Sequence, residues 1–220
     1  MIIDCIADLH GFYPKLHGGD LLIVAGDLTS RDEPEQHIEF SEWLDVQAYE
    51  KKIVIAGNHD NHIDPDSIEC LRGCYYLEDS KAKFCDFKIW GSPWTLKFPG
   101  MNPACMTFTC DTEEELAKKW EMIPDDTDIL ITHSPAWGMK DGECAEQRLG
   151  STSLLQRHVR TPLFNHMKLH VFGHIHEGYG KYDIRKAQRE LGDKEGCVYV
   201  NASHVNKYYK PVNPPIRVIL

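Results

Sequence analysis

No apolar run in this chain approaches the roughly 20 residues needed to cross a bilayer. Its opening residues, Met1-Ile2-Ile3-Asp4-Cys5-Ile6, lack a basic segment and reach an acid too early for a signal peptide, so no membrane role is expected. An excess of positive charge is also missing. The 24 basic residues face 34 acidic ones, for a formal net charge of −10, which argues against a broad footprint for duplex nucleic acid or an anionic membrane. The eight cysteines, Cys5, Cys70, Cys74, Cys85, Cys105, Cys110, Cys144 and Cys197, include no Cys-x-x-Cys pair and lack the compact spacing of a small secreted scaffold. They read as reduced thiols of a cytoplasmic protein; Cys70 with Cys74, or Cys105 with Cys110, could bind a second metal or pair on oxidation, but free cysteine commonly serves as a buried apolar residue. Linkers, repeats and low-complexity tracts are absent, so 220 residues with 42% apolar content are expected to form one domain, 1–220, with a substantial core.

What the sequence does contain is a set of five short segments with metal-binding side chains, each directly behind a β-like apolar run. They are Asp8-Leu9-His10, Gly26-Asp27, Gly57-Asn58-His59-Asp60, Thr132-His133-Ser134 and Gly173-His174-Ile175-His176. The runs ahead of them, Ile2 to Ala7, Leu21 to Ala25, Ile53 to Ala56, Ile129 to Ile131 and Leu169 to Phe172, are rich in branched aliphatics and read as buried strands. In open α/β sheets the functional crevice lies beyond the carboxyl ends of the strands, so five distant segments can converge there.

Between these strands a helix is expected from Pro34 to Tyr49, with Phe40, Trp43, Leu44 and Ala48 on one stripe, and a second from Thr112 to Ile123, where Thr112 and Glu115 fit a capping box. A short helix after Asp64, one around Ser151 to Val159, a hairpin over Lys83 to Trp90 and strands near Cys74 to Leu77, Cys197 to Asn201 and Arg217 to Leu220 complete the pattern. Phe98 to Cys110 reads as a loop near the pocket mouth. Lys181 to Glu195 mixes five positive with four negative charges and reads as a solvated excursion rather than a nucleic-acid stripe.

The donor set mixes imidazole nitrogen with carboxylate oxygen, which suits Mn, Fe or Zn better than calcium. Asp8, His10, Asp27, Asn58, His133, His174 and His176 are one residue short of two independent tetrahedral sites, and enough if one carboxylate bridges. Asp27 is the natural bridge. Two ions so held would lie roughly 3.5 to 4 Å apart and could share a hydroxide placed for in-line attack on phosphorus. Singly, Asp-x-His and Gly-Asp are weak signals, because turns produce them readily. Gly57-Asn58-His59-Asp60 is stronger, since a strand-ending turn does not call for histidine, and the ordered set of five is strong. His17, His37, His62, His158, His166, His170 and His204 share no such context and are read as surface or structural residues.

In this order the segments resemble the calcineurin-like metallophosphoesterases, whose pattern is D-x-H, G-D, G-N-H-D/E, H and G-H-x-H. Ile55-Ala56-Gly57-Asn58-His59-Asp60, Gly91-Ser92-Pro93-Trp94, Val171-Phe172-Gly173-His174-Ile175-His176, Asn201-Ala202-Ser203 and Asn213-Pro214-Pro215-Ile216 resemble the metallophosphoesterase-domain-containing branch, which includes brain-expressed animal proteins. The resemblance implies an α/β fold, a four-layer αββα sandwich of two mixed β-sheets flanked by helices. It also implies that Asp8, His10 and His176 hold one ion, Asn58, His133 and His174 the other, and Asp27 both. His59 would stabilise or protonate the leaving oxygen, a role suited to an imidazole. Asp60 would orient His59 or support the ligand shell, or else cap the following turn. The protein Ser/Thr phosphatases of this superfamily extend Gly-Asp into G-D-x-x-D-R-G; here Ser30 stands in place of the acid and Arg31 remains, which disfavours phosphoprotein substrates.

The expected activity is a metal-dependent phosphoric ester hydrolase acting on small-molecule phosphodiesters, cyclic nucleotides first, or on phosphomonoesters, with manganese among the candidate ions. A nuclease is the second enzymatic reading. A nucleotide-binding or scaffold protein with little turnover is the third. Trp94, Trp137, Tyr179 and Phe98 lie in loops that could stack a base or close a hydrophobic rim.

Overall fold

The computed structural model describes residues 1–69, 71–98, 101–142, 148–160, 166–185 and 196–220. One sheet contains β1 (Ile2–Ile6), β2 (Gly19–Ala25), β3 (Tyr49–Ile55) and β4 (Cys74–Tyr76), all parallel, with β13 (Ile216–Ile219) antiparallel beside β1. The second is built on β6 (Phe87–Ser92), β9 (Ile129–Thr132), β10 (Leu169–Phe172) and β12 (Val198–Asn201), mutually parallel, with β5 (Ser80–Phe84) and β11 (Gly180–Asp183) antiparallel at its edges. A small ribbon pairs β7 (Thr95–Leu96) with β8 (Thr109–Cys110).

Alternation of side chains along the strands sorts the apolar residues into three layers. Ile3, Cys5, Leu21, Ile23, Ile53 and Ile55 of the first sheet meet Ile89, Ile129, Ile131, Leu169, Val171 and Val200 of the second in a fully buried interior. The opposite face of the first sheet, with Ile6, Leu22, Val24 and Val54, is covered by Phe40 and Leu44 of α1 (Pro34–Asp45) and by Ile68 of α2 (Pro65–Glu69). Leu130, Phe172 and Tyr199 on the outer face of the second sheet pack against Leu116 and Trp120 of α3 (Glu113–Trp120) and Leu154 of α4 (Thr152–Arg160). The result is the four-layer αββα sandwich. Both faces of each sheet are buried, which is why the central strands are mostly apolar, with Asp4, Lys52 and His170 as buried exceptions.

Helix α1 ends at Asp45, short of the expected Tyr49, because Tyr49 opens β3 opposite Gly19 and sends its hydroxyl to Asp4 at 2.5 Å. At α3 the Thr112 hydroxyl accepts the Glu115 N–H at 3.2 Å, and Glu115 reaches back to the Asp111 N–H at 3.0 Å. Helices α3 and α4 cap each other. Glu113 accepts the Thr152 and Ser153 N–H groups at 2.9 and 3.1 Å, and Arg157 donates to the carbonyls of Trp120 and Ile123. Each therefore satisfies groups that a helix end leaves orphaned. Strand β11 lies in the stretch expected as a surface excursion; residues 186–195 of that stretch, like Cys70 and Cys144, lie outside the described residues.

Candidate metal centre

The carboxyl ends of the parallel strands of both sheets meet at one place. Ala7 donates to Ala202, Asp8 to Gly26, His10 to Asp27 and Gly173 to His133, so the strand-end segments are stitched together through their backbones. The chain turns sharply there: Asp8, His10, Asp27 and His174 have φ of 50, 45, 55 and 66°, in the left-handed region that non-glycine residues seldom adopt. Two motif glycines are required by close approach. A Cβ on Gly57 would stand 2.2 Å from Asp27 Oδ1, and one on Gly173 2.3 Å from Asp8 Oδ2.

Asp27 is buried and presents its two oxygens to different partners. Oδ2 faces His10 Nε2 at 3.6 Å and His59 Nε2 at 3.9 Å, while Oδ1 faces His133 Nε2 at 3.4 Å and accepts the His59 backbone N–H at 2.9 Å. Asp8 Oδ1 lies 3.7 Å from His176 Nε2, and its carboxylate accepts the His174 N–H at 3.0 Å. His133 donates Nδ1–H to the Ala25 carbonyl at 3.0 Å, which leaves Nε2 facing Asn58 Oδ1 at 3.1 Å; the Asn58 amide is itself held by the Cys105 carbonyl at 3.2 Å. His174 joins through ring contact, its centroid 5.0 Å from that of His133.

These spacings fit metal ions. Two donors bound at about 2.1 Å to one ion stand roughly 3 to 3.5 Å apart, close to the separations above. His10 Nε2 is buried and has no hydrogen-bond partner among the described residues, as expected of a lone pair reserved for a cation. Among the described residues, Asp8/His10/His176, His10/Asp27/His59 and Asp8/Asp27/His133 each bring one donor atom per residue within 4.8 Å of the others.

Charge is distributed to match. Burial opposes ionisation of Asp27, but the charges of His133, His59 and His10 outweigh it and hold its carboxyl well below the usual range. Asp8 is likewise held down to about 2, burial being overcome by its bond with His176 and by the charges of His176 and His133. Burial brings His10 down to about 4 and, together with His133, His174 to about 3, so both offer free lone pairs. His133 is different. Burial opposes its charged form, yet Asp27 raises it to about 9, so the position between Asp27 and Asn58 favours a cation, either a proton or a metal.

The structure brings all nine sequence-selected residues to this place, with distinct parts for two of them. His59 is half-buried at the mouth. Asp60 accepts the Leu28 N–H at 2.9 Å and the Gly57 N–H at 2.7 Å, bracing the loops that carry Asp27 and Asn58; burial and the Asp27 charge push its carboxyl up to about 8. Of the loop aromatics, Phe98 approaches His174, with centroids 6.1 Å apart. Trp94 is engaged by Asp79 and Lys119, Tyr179 by the Pro214 carbonyl, and Trp137 lies beneath Arg148. Sequence reasoning missed Tyr209, whose ring lies 4.9 Å from His10 and 5.3 Å from His176, and Cys105, which anchors Asn58; neither sits in a recognisable motif. His158 and His170 are buried behind the second sheet, His170 Nε2 meeting Thr132 Oγ1 at 2.8 Å, while His37 and His62 flank Asp32.

Residues 1–178 match the calcineurin-like phosphoesterase family. Metallophosphoesterase domain-containing protein 1 of Homo sapiens is 37% identical over 98% of this chain and 70% of its own length, and its Mus musculus counterpart gives the same figures. A protein of Emericella nidulans described as probable rhamnogalacturonate lyase C is 37% identical over 80% of this chain but only 17% of its own length. Among solved structures, a protein of unknown function from Aquifex aeolicus aligns with a TM-score of 0.41 and 15% identity, over 98% of this chain and 95% of that one. The family match over residues 1–178 and the 37% identity to metallophosphoesterase domain-containing protein 1 agree with the converging strand ends and the paired acid and imidazole donors: the chain belongs to the calcineurin-like phosphoesterase family.

Proposed function

We propose that residues 1–220 act as one cytoplasmic, dimetal-dependent phosphoesterase domain that hydrolyses small-molecule phosphodiesters, with cyclic nucleotides the first class to test. The observation that carries this reading is the Asp27 carboxylate, one oxygen turned to His10 and His59 and the other to His133. Asp8, His10 and His176 would hold one ion, Asn58, His133 and His174 the other, and Asp27 both. Strands β12 and β13 lie beyond the family match yet belong one to each sheet, which supports treating the chain as a unit. Six described cysteines are free thiols, and no helix among the described residues is long and apolar enough to cross a membrane.

When bound, the ions, of the Mn, Fe or Zn type, would activate water and neutralise charge developing on the phosphoryl oxygens. The protein's own work is positional. Backbone N–H groups of His174 and His59 hold the carboxylates of Asp8 and Asp27, and Ala25 fixes the His133 ring with Nε2 outward. His59, with Nε2 3.9 Å from Asp27 Oδ2, would donate a proton to the departing ester oxygen. Ser30, whose hydroxyl accepts from Gln36, stands where the protein phosphatases carry an acid, and this substitution supports small phosphoesters over phosphoproteins. The test is a panel of cyclic nucleotides, a generic diester, a generic monoester and single-stranded RNA, assayed with Mn²⁺ and after chelation. Metal-dependent turnover led by the diesters is expected. No metal-dependent hydrolysis of any of them would sink the reading, and faster cleavage of RNA would make it a nuclease.

A further inference from the structure

We propose that Tyr209 is a specificity-determining residue of this centre, its ring receiving a planar aromatic group carried close to the phosphate. The inference rests on the phosphoesterase reading above and concerns which esters that site prefers. Three histidines of the centre meet this one ring: His10 at 4.9 Å, His176 at 5.3 Å and His59 at 6.4 Å between centroids. The ring stands nearly perpendicular to those of His10 and His176, at 73 and 88°, and the residue is 51% exposed. It therefore does not serve as core filling; much of its surface borders the space above the donors.

The backbone is organised to hold it there. Tyr209 has a φ of 55°, which bulky residues rarely adopt and which it shares with Asp8, His10, Asp27 and His174. Asn206 braces the turn from within, accepting the N–H groups of Tyr208 and Lys210 on its side chain and that of Tyr209 on its carbonyl. A strained backbone that is cross-braced and carries a half-exposed aromatic ring over a polar centre indicates placement for contact rather than for packing.

The ring lies nearest His10 and His176 and within 6.4 Å of His59, so a group carried on a phosphate held at these residues would lie within its reach. Across the centre Phe98, 50% exposed, lies beside His174. Tyr209 thus offers a half-exposed aromatic surface beside the donors, and an aryl ring or a nucleobase is the organic group that gains most from such a surface.

Binding of non-hydrolysable probes to Mn²⁺-loaded protein tests this directly. Wild type should bind phenylphosphonate more tightly than methylphosphonate by roughly five- to a hundred-fold, the range of one stacking contact. Tyr209→Leu should bring the two affinities together without weakening methylphosphonate, and Tyr209→Phe should keep the preference. The same comparison with adenosine 5′-monophosphate and ribose 5-phosphate shows whether the ring serves nucleobases as well as aryl groups. A preference that survives in Tyr209→Leu overturns the assignment while leaving the phosphoesterase reading intact. Loss in Tyr209→Phe equal to that in Tyr209→Leu overturns it in favour of the hydroxyl. Binding of neither phosphonate by wild type overturns both.

Discussion

Nε2 of His133 lies 3.4 Å from Oδ1 of Asp27, while the other oxygen of that carboxylate faces His10 at 3.6 Å. In the proposed site this one side chain would serve both ions. Asp27→Asn removes the charge that both ions would share and replaces one acceptor with a donor. Metal content after dialysis should fall at both positions, and turnover should drop by more than roughly 100-fold, the upper range for losing a supporting partner of a ligand. Retention of two ions per chain would count against Asp27 as the bridge.

His59 stands beside Asp27, held through its backbone N–H and by the ring of His10, 4.7 Å away. His59→Ala should leave metal content close to wild type and lower kcat by about 10² to 10⁴, the range for a lost proton donor. The loss should be smaller for esters with good leaving groups, which need no protonation. Equal losses for good and poor leaving groups would contradict a role in protonation.

Gly57→Ala tests the close packing beneath the centre. The added Cβ meets Asp27 Oδ1 at 2.2 Å, the Asp27 backbone nitrogen at 2.6 Å and His133 Cε1 at 2.7 Å, so Asp27 must move. We expect weakened metal binding, read by titration with Mn²⁺, out of proportion to the change in urea midpoint. A variant that is equally destabilised but binds metal normally would show that the loop, and not the carboxylate, gives way.

Far from the centre, Asp4 is buried and receives Arg217 on both oxygens at 2.8 and 2.7 Å and Tyr49 at 2.5 Å. Burial raises its pKa, but the bonds of Arg217 and Tyr49 outweigh this and hold it below the ordinary 3.8. Its contribution to stability is therefore complete above about that value and disappears as pH falls through the lower folded-state pKa. Urea midpoints of wild type and Asp4→Asn should differ at pH 7 and converge below pH 3.8. A difference independent of pH would mean that the carboxylate charge is not what matters.

Glu113→Ala should destabilise the fold by about 1 to 2 kcal/mol, the cost of uncapping a helix, because its carboxylate serves the first turn of α4. Activity per folded molecule should be unchanged. Urea unfolding measured alongside turnover separates the two.

The strands and the donors were visible in the sequence for the same reason: both follow local rules. Ile129 to Ile131 and three of the four residues from Leu169 to Phe172 are apolar because a sheet lies on one face and helices on the other; the exception, His170, is buried and meets Thr132 Oγ1. The helix expected to continue to Tyr49 shows where local pattern misleads. Residues 46–49 can be read on the stripe of α1, but pairing with Gly19 and the bond to Asp4 place Tyr49 in β3. Strand β11 was hidden because it is an edge strand of exposed and half-buried residues, recruited by β12.

Residue chemistry and order alone were enough to specify that the chain would place imidazole and carboxylate behind buried strands, since apolar periodicity and donor type are properties of a few adjacent residues. Which oxygen of Asp27 faces which histidine, that Asp60 accepts the Leu28 and Gly57 N–H groups, and that Tyr209 packs on His10 and His176 were decided only by tertiary structure. Some of those relationships, such as His133 with Asp27 or Tyr209 with His10, join residues more than a hundred positions apart, and contacts of that kind exist only once the chain has folded and brought its strand ends together.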